Sequence, residues 1–379
     1  MPRPESTALP RLVRVEAIHV RVPFRRPLLD ATGEFTHRRS WLLRIVDAEG
    51  HEGLGEAALN PIAADVTAGS LAALIREIVP ELAAGRTPAW SDLAGEGEPG
   101  RAAMAAVDGA VGALLATRGA LSGATATAAR VAATTIPVSA AIPFAGPDAG
   151  AEAAAQAVEL GFATLKLRAG FERATDQLVD RLRAIRAAVG PEPSIRVDAG
   201  GAWDLETAAE RIAAIAPFRI EFVEQPLATW DLTGHAALRE RVRVPIALDE
   251  SIDSEGSARA ALAERAADVV IVKPARVGGL AATMRIVKAA TAANASVVLG
   301  TYFETGIGIA AVLRIAAALP RADRGREPAH GLATAGILVH DLLGVPLPIE
   351  KGRMTVPAIV TLDESEVARY TLERFEALG

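Results

Sequence analysis

Ile195-Arg196-Val197-Asp198, Glu221-Phe222-Val223-Glu224 and Ile246-Ala247-Leu248-Asp249 are three short, largely apolar runs, each closed by an acid. The acids stand 26 and 25 residues apart (198 to 224 to 249), and a fourth run, Val269-Val270-Ile271-Val272, closes 24 residues further on at Lys273. Gly, Gln-Pro, Glu-Ser or Pro follows each closing residue within two positions, so each polar side chain stands where a strand hands over to a loop. A step near 25 residues fits a strand, a turn and a helix repeated around a barrel. The C-terminal strand ends of a barrel converge on one mouth, so these four side chains are expected to meet there.

The alternation extends outward from these runs. Candidate strands are 136–144, 162–168, 194–200, 220–226, 245–250, 267–274 and 296–302, with Ala-rich helical segments between them, and His330-Gly331-Leu332-Ala333-Thr334 offers a short eighth strand. Near-continuous apolar strands alternating with helices argue a parallel α/β sheet covered by helices, and eight of them favour closure into a barrel. Residues 11–60 read differently. Val13 to Val20 alternates, Trp41 to Val46 is a second strand, and Asp47-Ala48-Glu49-Gly50 is a turn before a third. Helical stretches at about 66–84 and 100–117 follow, which suggests a separate α+β domain. The last 45 residues lose the alternation and are expected to pack back on that domain.

Three carboxylates at one mouth repel one another unless a cation neutralises them. Asp198, Glu224 and Asp249 offer only oxygen ligands, which suits Mg²⁺, with Mn²⁺ as a substitute. Zinc or copper would recruit His or Cys, and none of the six histidines lies in these strands. Lys166 and Arg168 end an earlier strand two residues apart, so both point into the barrel. Lys273 then stands across the mouth from that pair. Cations on two sides of a metal serve proton abstraction next to a carboxylate: the metal holds the carboxylate and a lysine whose pKa is lowered takes the α-proton. Gly300, Thr301 and Glu304, after the seventh strand, are candidates for substrate binding, since glycines there let backbone N–H groups approach a carboxylate.

Lys166-x-Arg168, Asp198, Glu224, Asp249 and Lys273, with Val223-Glu224-Gln225-Pro226, Leu248-Asp249-Glu250-Ser251 and Lys273 to Leu280, resemble the enolase superfamily, muconate-lactonizing subgroup. The lysine base with Mg²⁺ is a known feature of that superfamily. The resemblance implies a modified TIM barrel, (β/α)7β, over 136–334, and an N-terminal α+β capping domain over 1–135 that 335–379 completes. It also implies a mobile loop, about Leu28 to Arg39, closing over the mouth. Within the subgroup, Arg26-Pro27-Leu28, Thr36 to Arg44, Gly53 to Ala58 and His330 to Thr334 resemble the o-succinylbenzoate synthase family. That family dehydrates a cyclohexadiene carboxylate to aromatic o-succinylbenzoate in menaquinone synthesis. Racemases and epimerases of N-acylamino acids or dipeptides, muconate-type cycloisomerases and a catalytically silent metal-binding barrel stay open as alternatives. Two positions depart from the family pattern: Arg168 stands where a lysine base is usual, and Gly200 where an asparagine is usual.

Bulk properties set the bounds. The 379 residues are half hydrophobic and 23% charged, a globular composition. A net charge of −6 gives no footprint for nucleic acid or an anionic membrane, and no apolar run reaches 18 residues. Cysteine is absent, which excludes disulfides and thiolate catalysis. Met1 to Ser6 lacks the apolar core of a secretory signal, so a cytoplasmic location is the expectation. The expected partner is a small-molecule carboxylate, and a homo-oligomer is left open.

Overall fold

The computed structural model describes residues 10–30, 33–61, 64–86, 93, 95–119, 134–319 and 327–379. The alternating N-terminal runs become β1 (Leu12–Asp30), β2 (Gly33–Asp47) and β3 (Glu52–Ala58), followed by helices α1 (Ala64–Ala83) and α2 (Gly97–Thr117). The strands pair antiparallel, β1 with β2 and β2 with β3. One face of this sheet packs Val15, Trp41, Leu43 and Ile45 against Leu71, Ile75, Ala106 and Val107 of the two helices.

The described residues between Leu28 and Arg39 are strand rather than loop. Leu28 pairs with Phe35 and Asp30 with Gly33, so they form the outer end of a long β1–β2 ribbon. Leu28 and Phe35 pack beside a buried cluster that includes Phe24, Leu338 and Leu342, which gives this end a reason to be strand. Residues 31–32, between the two arms, lie outside the described residues.

The barrel begins with β4 (Thr135–Pro137) and β5 (Ala140–Ile142), then α3 (Pro147–Glu159), β6 (Thr164–Arg168), α4 (Thr175–Val189), β7 (Ser194–Asp198), α5 (Leu205–Ile215) and β8 (Ile220–Glu224). It continues through α6 (Leu232–Arg241), β9 (Ile246–Leu248), α7 (Glu255–Ala263), β10 (Val269–Val272), short α8 (Pro274–Val277), α9 (Gly279–Ala292), β11 (Ser296–Leu299) and α10 (Gly306–Ala318). Strands β5 to β11 form one sheet in sequence order, each neighbouring pair parallel. The eighth stave is short: His330 bridges Val138 and Gly331 bridges Gly300, which joins the two edges. The His330 imidazole accepts from Leu299 N at 3.0 Å inside this seam.

Alternate residues of the strands face the barrel axis. Phe222, Ala247, Val269, Ile271 and Val298 form a separate buried cluster there. Arg196 joins them, 2% exposed, with its guanidinium over the Phe222 ring, a bidentate ion pair to Glu221 and a hydrogen bond to Ala329 O. Removing one partner of a buried pair leaves an uncompensated charge. Arg196→Ala should therefore lower stability by about 3 kcal/mol, the low end of the usual range because Glu221 is partly exposed. Urea unfolding at constant m-value would check it.

After the barrel come β12 (Ile349–Glu350), β13 (Arg353–Thr355), α11 (Glu364–Tyr370) and β14 (Thr371–Leu378). The last strand pairs antiparallel with β1 and extends the N-terminal sheet. The segment before it divides its contacts, because β13 pairs with β4 beside the barrel.

Candidate active site

The axial positions fix the mouth. Two residues above Arg196, Phe222, Ala247 and Ile271 stand Asp198, Glu224, Asp249 and Lys273, and two above Val298 stands Gly300. Parallel register sets Arg168 beside Asp198 and Asp198 beside Glu224. The three carboxylates are 7%, 1% and 3% exposed, so water screens them little.

Their neighbours are the predicted cations. Lys166 Nζ lies 2.7 Å from Glu224 Oε1 and 3.1 Å from Asp198 Oδ2. Arg168 Nη1 lies 3.0 Å from Asp198 Oδ1, and Lys273 Nζ lies 2.6 Å from Asp249 Oδ2. The structure thus joins Lys166, Arg168, Lys273, Asp198, Glu224 and Asp249 in one cluster.

Burial alone would lower the pKa of Lys166. Asp198, Glu224 and Asp249 outweigh that effect and hold the ammonium protonated. In the metal-free protein the carboxylates thus hold Lys166 as an ammonium. Burial would raise Asp249, but Lys273, Lys166 and Arg276 bring it down to about 2.

The donor set suits a hard divalent cation. Asp249 Oδ1 is buried and accepts no hydrogen bond, which leaves a lone pair for a ligand. Asp47, Glu49 and His51 also lie within 4.8 Å of one another. There Asp47 accepts from the Glu49 and His51 amides and pairs with Arg118, so it closes the β2–β3 turn with its lone pairs already used.

The substrate-binding candidates separate. Gly300 is at the mouth beside Lys273: a Cβ there would meet Lys273 Cγ at 3.4 Å and Cε at 3.5 Å, ordinary van der Waals contact. Thr301 is tied to the closing segment through Thr334 Oγ1 at 2.9 Å. Glu304 turns away from the acidic cluster. Its carboxylate accepts from Tyr302 N at 2.5 Å, its charged neighbours are Glu56 and Arg38, and burial pushes it up to about 7. Glu304, 1% exposed, thus stands with Tyr302, Glu56 and Arg38 and apart from the six charged residues joined at the mouth.

A carboxyl raised in the fold binds more protons than the unfolded chain between about pH 4.5 and 7, so it costs stability as pH rises through that window. Glu304→Gln should remove that loss. Its melting temperature should fall less than that of the wild type between pH 5 and 7.5.

Three further residues shape the site. Gln225, fully buried, accepts from the amides of Asp249 and Ser251 and donates to Leu227 O and Ser251 Oγ. It thereby locks the end of β8 to the loop that carries Asp249. Arg276 donates to the carbonyls of Asp249 and Glu250. The Tyr302 ring lies 5.3 Å below the Lys273 ammonium.

Residues 149–361, more than half of the chain, match the "Enolase C-terminal domain-like" family. The chain belongs to this family. It is also 40% identical over 216 residues to the o-succinylbenzoate synthase of Thermobifida fusca (strain YX). That match covers 56% of this chain and 64% of the relative, so the chain spans less than two thirds of the relative's length. Among solved structures, the L-Ala-D/L-Glu epimerase of Bacillus subtilis superposes with a TM-score of 0.80 at 23% identity, over 92% of this chain and 98% of the epimerase. The muconate lactonizing enzyme of Pseudomonas fluorescens gives 0.80 at 24% identity, over 96% and 100%. At such identities the two establish the shared fold: a modified α/β barrel with an N-terminal sheet domain. Among the described residues no helix is long and apolar enough to cross a membrane.

Proposed function

We propose that this family member is a Mg²⁺-dependent lyase that removes a proton α to a carboxylate and eliminates water, of the o-succinylbenzoate synthase type. The observation that carries the reading is the arrangement of cations: Lys166 and Arg168 on one side of three buried carboxylates, Lys273 on the other. The likeness to the Thermobifida relative supports the same reaction class.

Asp198, Glu224 and Asp249 would hold the metal. Mg²⁺ bound there would supply the positive charge that the carboxylates draw from the lysines, and would polarise the carboxylate of a substrate. Lys273 then serves as the base. Its amine takes the α-proton, the C–O bond on the same face breaks, and the resulting ammonium protonates the leaving hydroxyl as water. Lys166 and Arg168 stay cationic and stabilise negative charge developing on the substrate. Residues 1–135, completed by 335–379, cap the 136–334 barrel in this reading, and the compartment is the cytoplasm.

The epimerase neighbours raise a second reading. Epimerisation needs a donor and an acceptor on opposite faces of the α-carbon. Arginine is always protonated, and Arg168 is engaged with Asp198, so a syn elimination with one base fits better. The direct test is to incubate the protein and Mg²⁺ with the hydroxylated cyclohexadiene carboxylate and follow loss of diene absorbance. Dehydration is expected, and its absence together with epimerisation of dipeptides or N-acylamino acids would overturn the assignment. Arg168→Lys keeps the charge and should leave measurable dehydration, with a trace of N-acylamino acid racemisation as a second amine becomes available.

A further inference from the structure

The two departures from the family pattern, Arg168 and Gly200, touch each other. A Cβ built on Gly200 would lie 2.2 Å from Arg168 Nη2, 2.7 Å from Cζ and 2.8 Å from Nη1. No real Cβ contact is that short, so a side chain at position 200 and this guanidinium cannot share the space.

The loop has no slack to retreat. Ala199 N donates to Glu224 O, Gly201 N to Gln225 O and Trp203 N to Pro226 O, which pins residues 199–203 along the end of β8. Two donors meet at Asp198 Oδ1: Arg168 Nη1 at 3.0 Å and Gly200 N at 3.1 Å. Lys166 takes the other oxygen at 3.1 Å. The Phe171 ring also lies beside the guanidinium, 5.9 Å from Cζ to its centroid.

We propose that Gly200 and Arg168 are a matched pair: the missing side chain at 200 makes the space in which the Arg168 guanidinium lies, and from there Arg168 braces Asp198 and acts as a positioning residue rather than a base. A lysine at 168 carries its charge on a single nitrogen, without the planar fork that fills the space above residue 200. The role of Arg168 at a metal ligand rests on the lyase reading; the steric pairing does not.

Because the displaced group is the end of a flexible side chain, a residue at 200 should swing it aside without unfolding the protein. Gly200 has φ +56, and Asn is among the residues best tolerated in that region. Whatever backbone strain Gly200→Asn adds is the same beside arginine or lysine, so a double-mutant cycle cancels it.

The cycle comprises wild type, Gly200→Asn, Arg168→Lys and the double variant, read by calorimetric titration of Mg²⁺ into metal-free protein. Gly200→Asn alone should weaken Mg²⁺ at least ~10-fold, in the range of losses from ligand-orienting groups. The same substitution made in Arg168→Lys should change affinity less than ~3-fold, so that the second change rescues the first. Equal losses in both backgrounds would overturn the pairing. The cycle is also read without metal, by urea midpoint: Gly200→Asn should lower it more in the wild type than in Arg168→Lys. That readout separates the two ideas. Protein that shows the midpoint coupling but binds no Mg²⁺ keeps the pairing and loses the metal reading; protein that binds Mg²⁺ and shows additive midpoints and affinities does the reverse.

Discussion

Replacing Lys273 with alanine should abolish turnover, a loss of at least ~10²-fold by the usual size of an acid–base contribution. Solvent-deuterium exchange at the α-carbon of a non-eliminating analogue reports proton abstraction apart from the later C–O cleavage. Exchange should vanish in Lys273→Ala. The lysine is placed for the role by its position two residues above Ile271 on β10 and by the Tyr302 ring beneath it. Exchange persisting at the wild-type rate would move the base to Lys166, since Arg168 cannot accept a proton. Loss of the ammonium also leaves Asp249 Oδ2 without its 2.6 Å partner, so the melting temperature of the variant must be measured alongside. A folded, inactive protein is the expected outcome.

The second large effect concerns the metal. Asp249→Asn removes one negative charge from a carboxylate that is 3% exposed and whose Oδ1 accepts no hydrogen bond. Outer-shell substitutions at metal sites cost 10–100-fold, so loss of a direct ligand's charge should weaken Mg²⁺ by more than ~100-fold. Calorimetric titration would show it, and equal affinities in wild type and variant would remove Asp249 from the ligand set. Lys273 loses the carboxylate that faces it, and the remaining backbone contacts of Arg276 hold the loop in place.

Hydrogen exchange at residues 28–30 and 33–39 gives a milder test. These residues are ribbon, already paired across β1 and β2, so the fall in exchange on adding Mg²⁺ and a substrate analogue should be confined to this outer end. Unchanged exchange at saturating ligand would argue that the ribbon end does not close over the mouth.

The sequence by itself determined the barrel and the charged residues at its mouth. The strand period and the position of each polar residue at a strand end are local properties, and a parallel barrel converts them into a common destination. Asp198, Glu224, Asp249, Lys273, Lys166 and Arg168 therefore meet as the spacing requires. What no local pattern carries is the direction of a loop side chain or the use made of empty space. Glu304 follows a strand end as the acids do, yet it turns under the N-terminal sheet because Tyr302 N and the neighbourhood of Arg38 hold it there. The resemblance implies a loop from about Leu28 to Arg39, but Leu28 and Phe35 pack on a buried cluster in which Val22 and Phe24 meet Leu338 and Leu342, some 300 positions away. Gln225 and Arg276 gain their roles from loops that pass within hydrogen-bonding distance only after the barrel closes. Arg168 and Gly200 are 32 positions apart and read as two unrelated departures; only the folded chain shows that one residue's missing side chain is the other's place. Contact between distant residues is a property of packing, and packing is decided by tertiary structure.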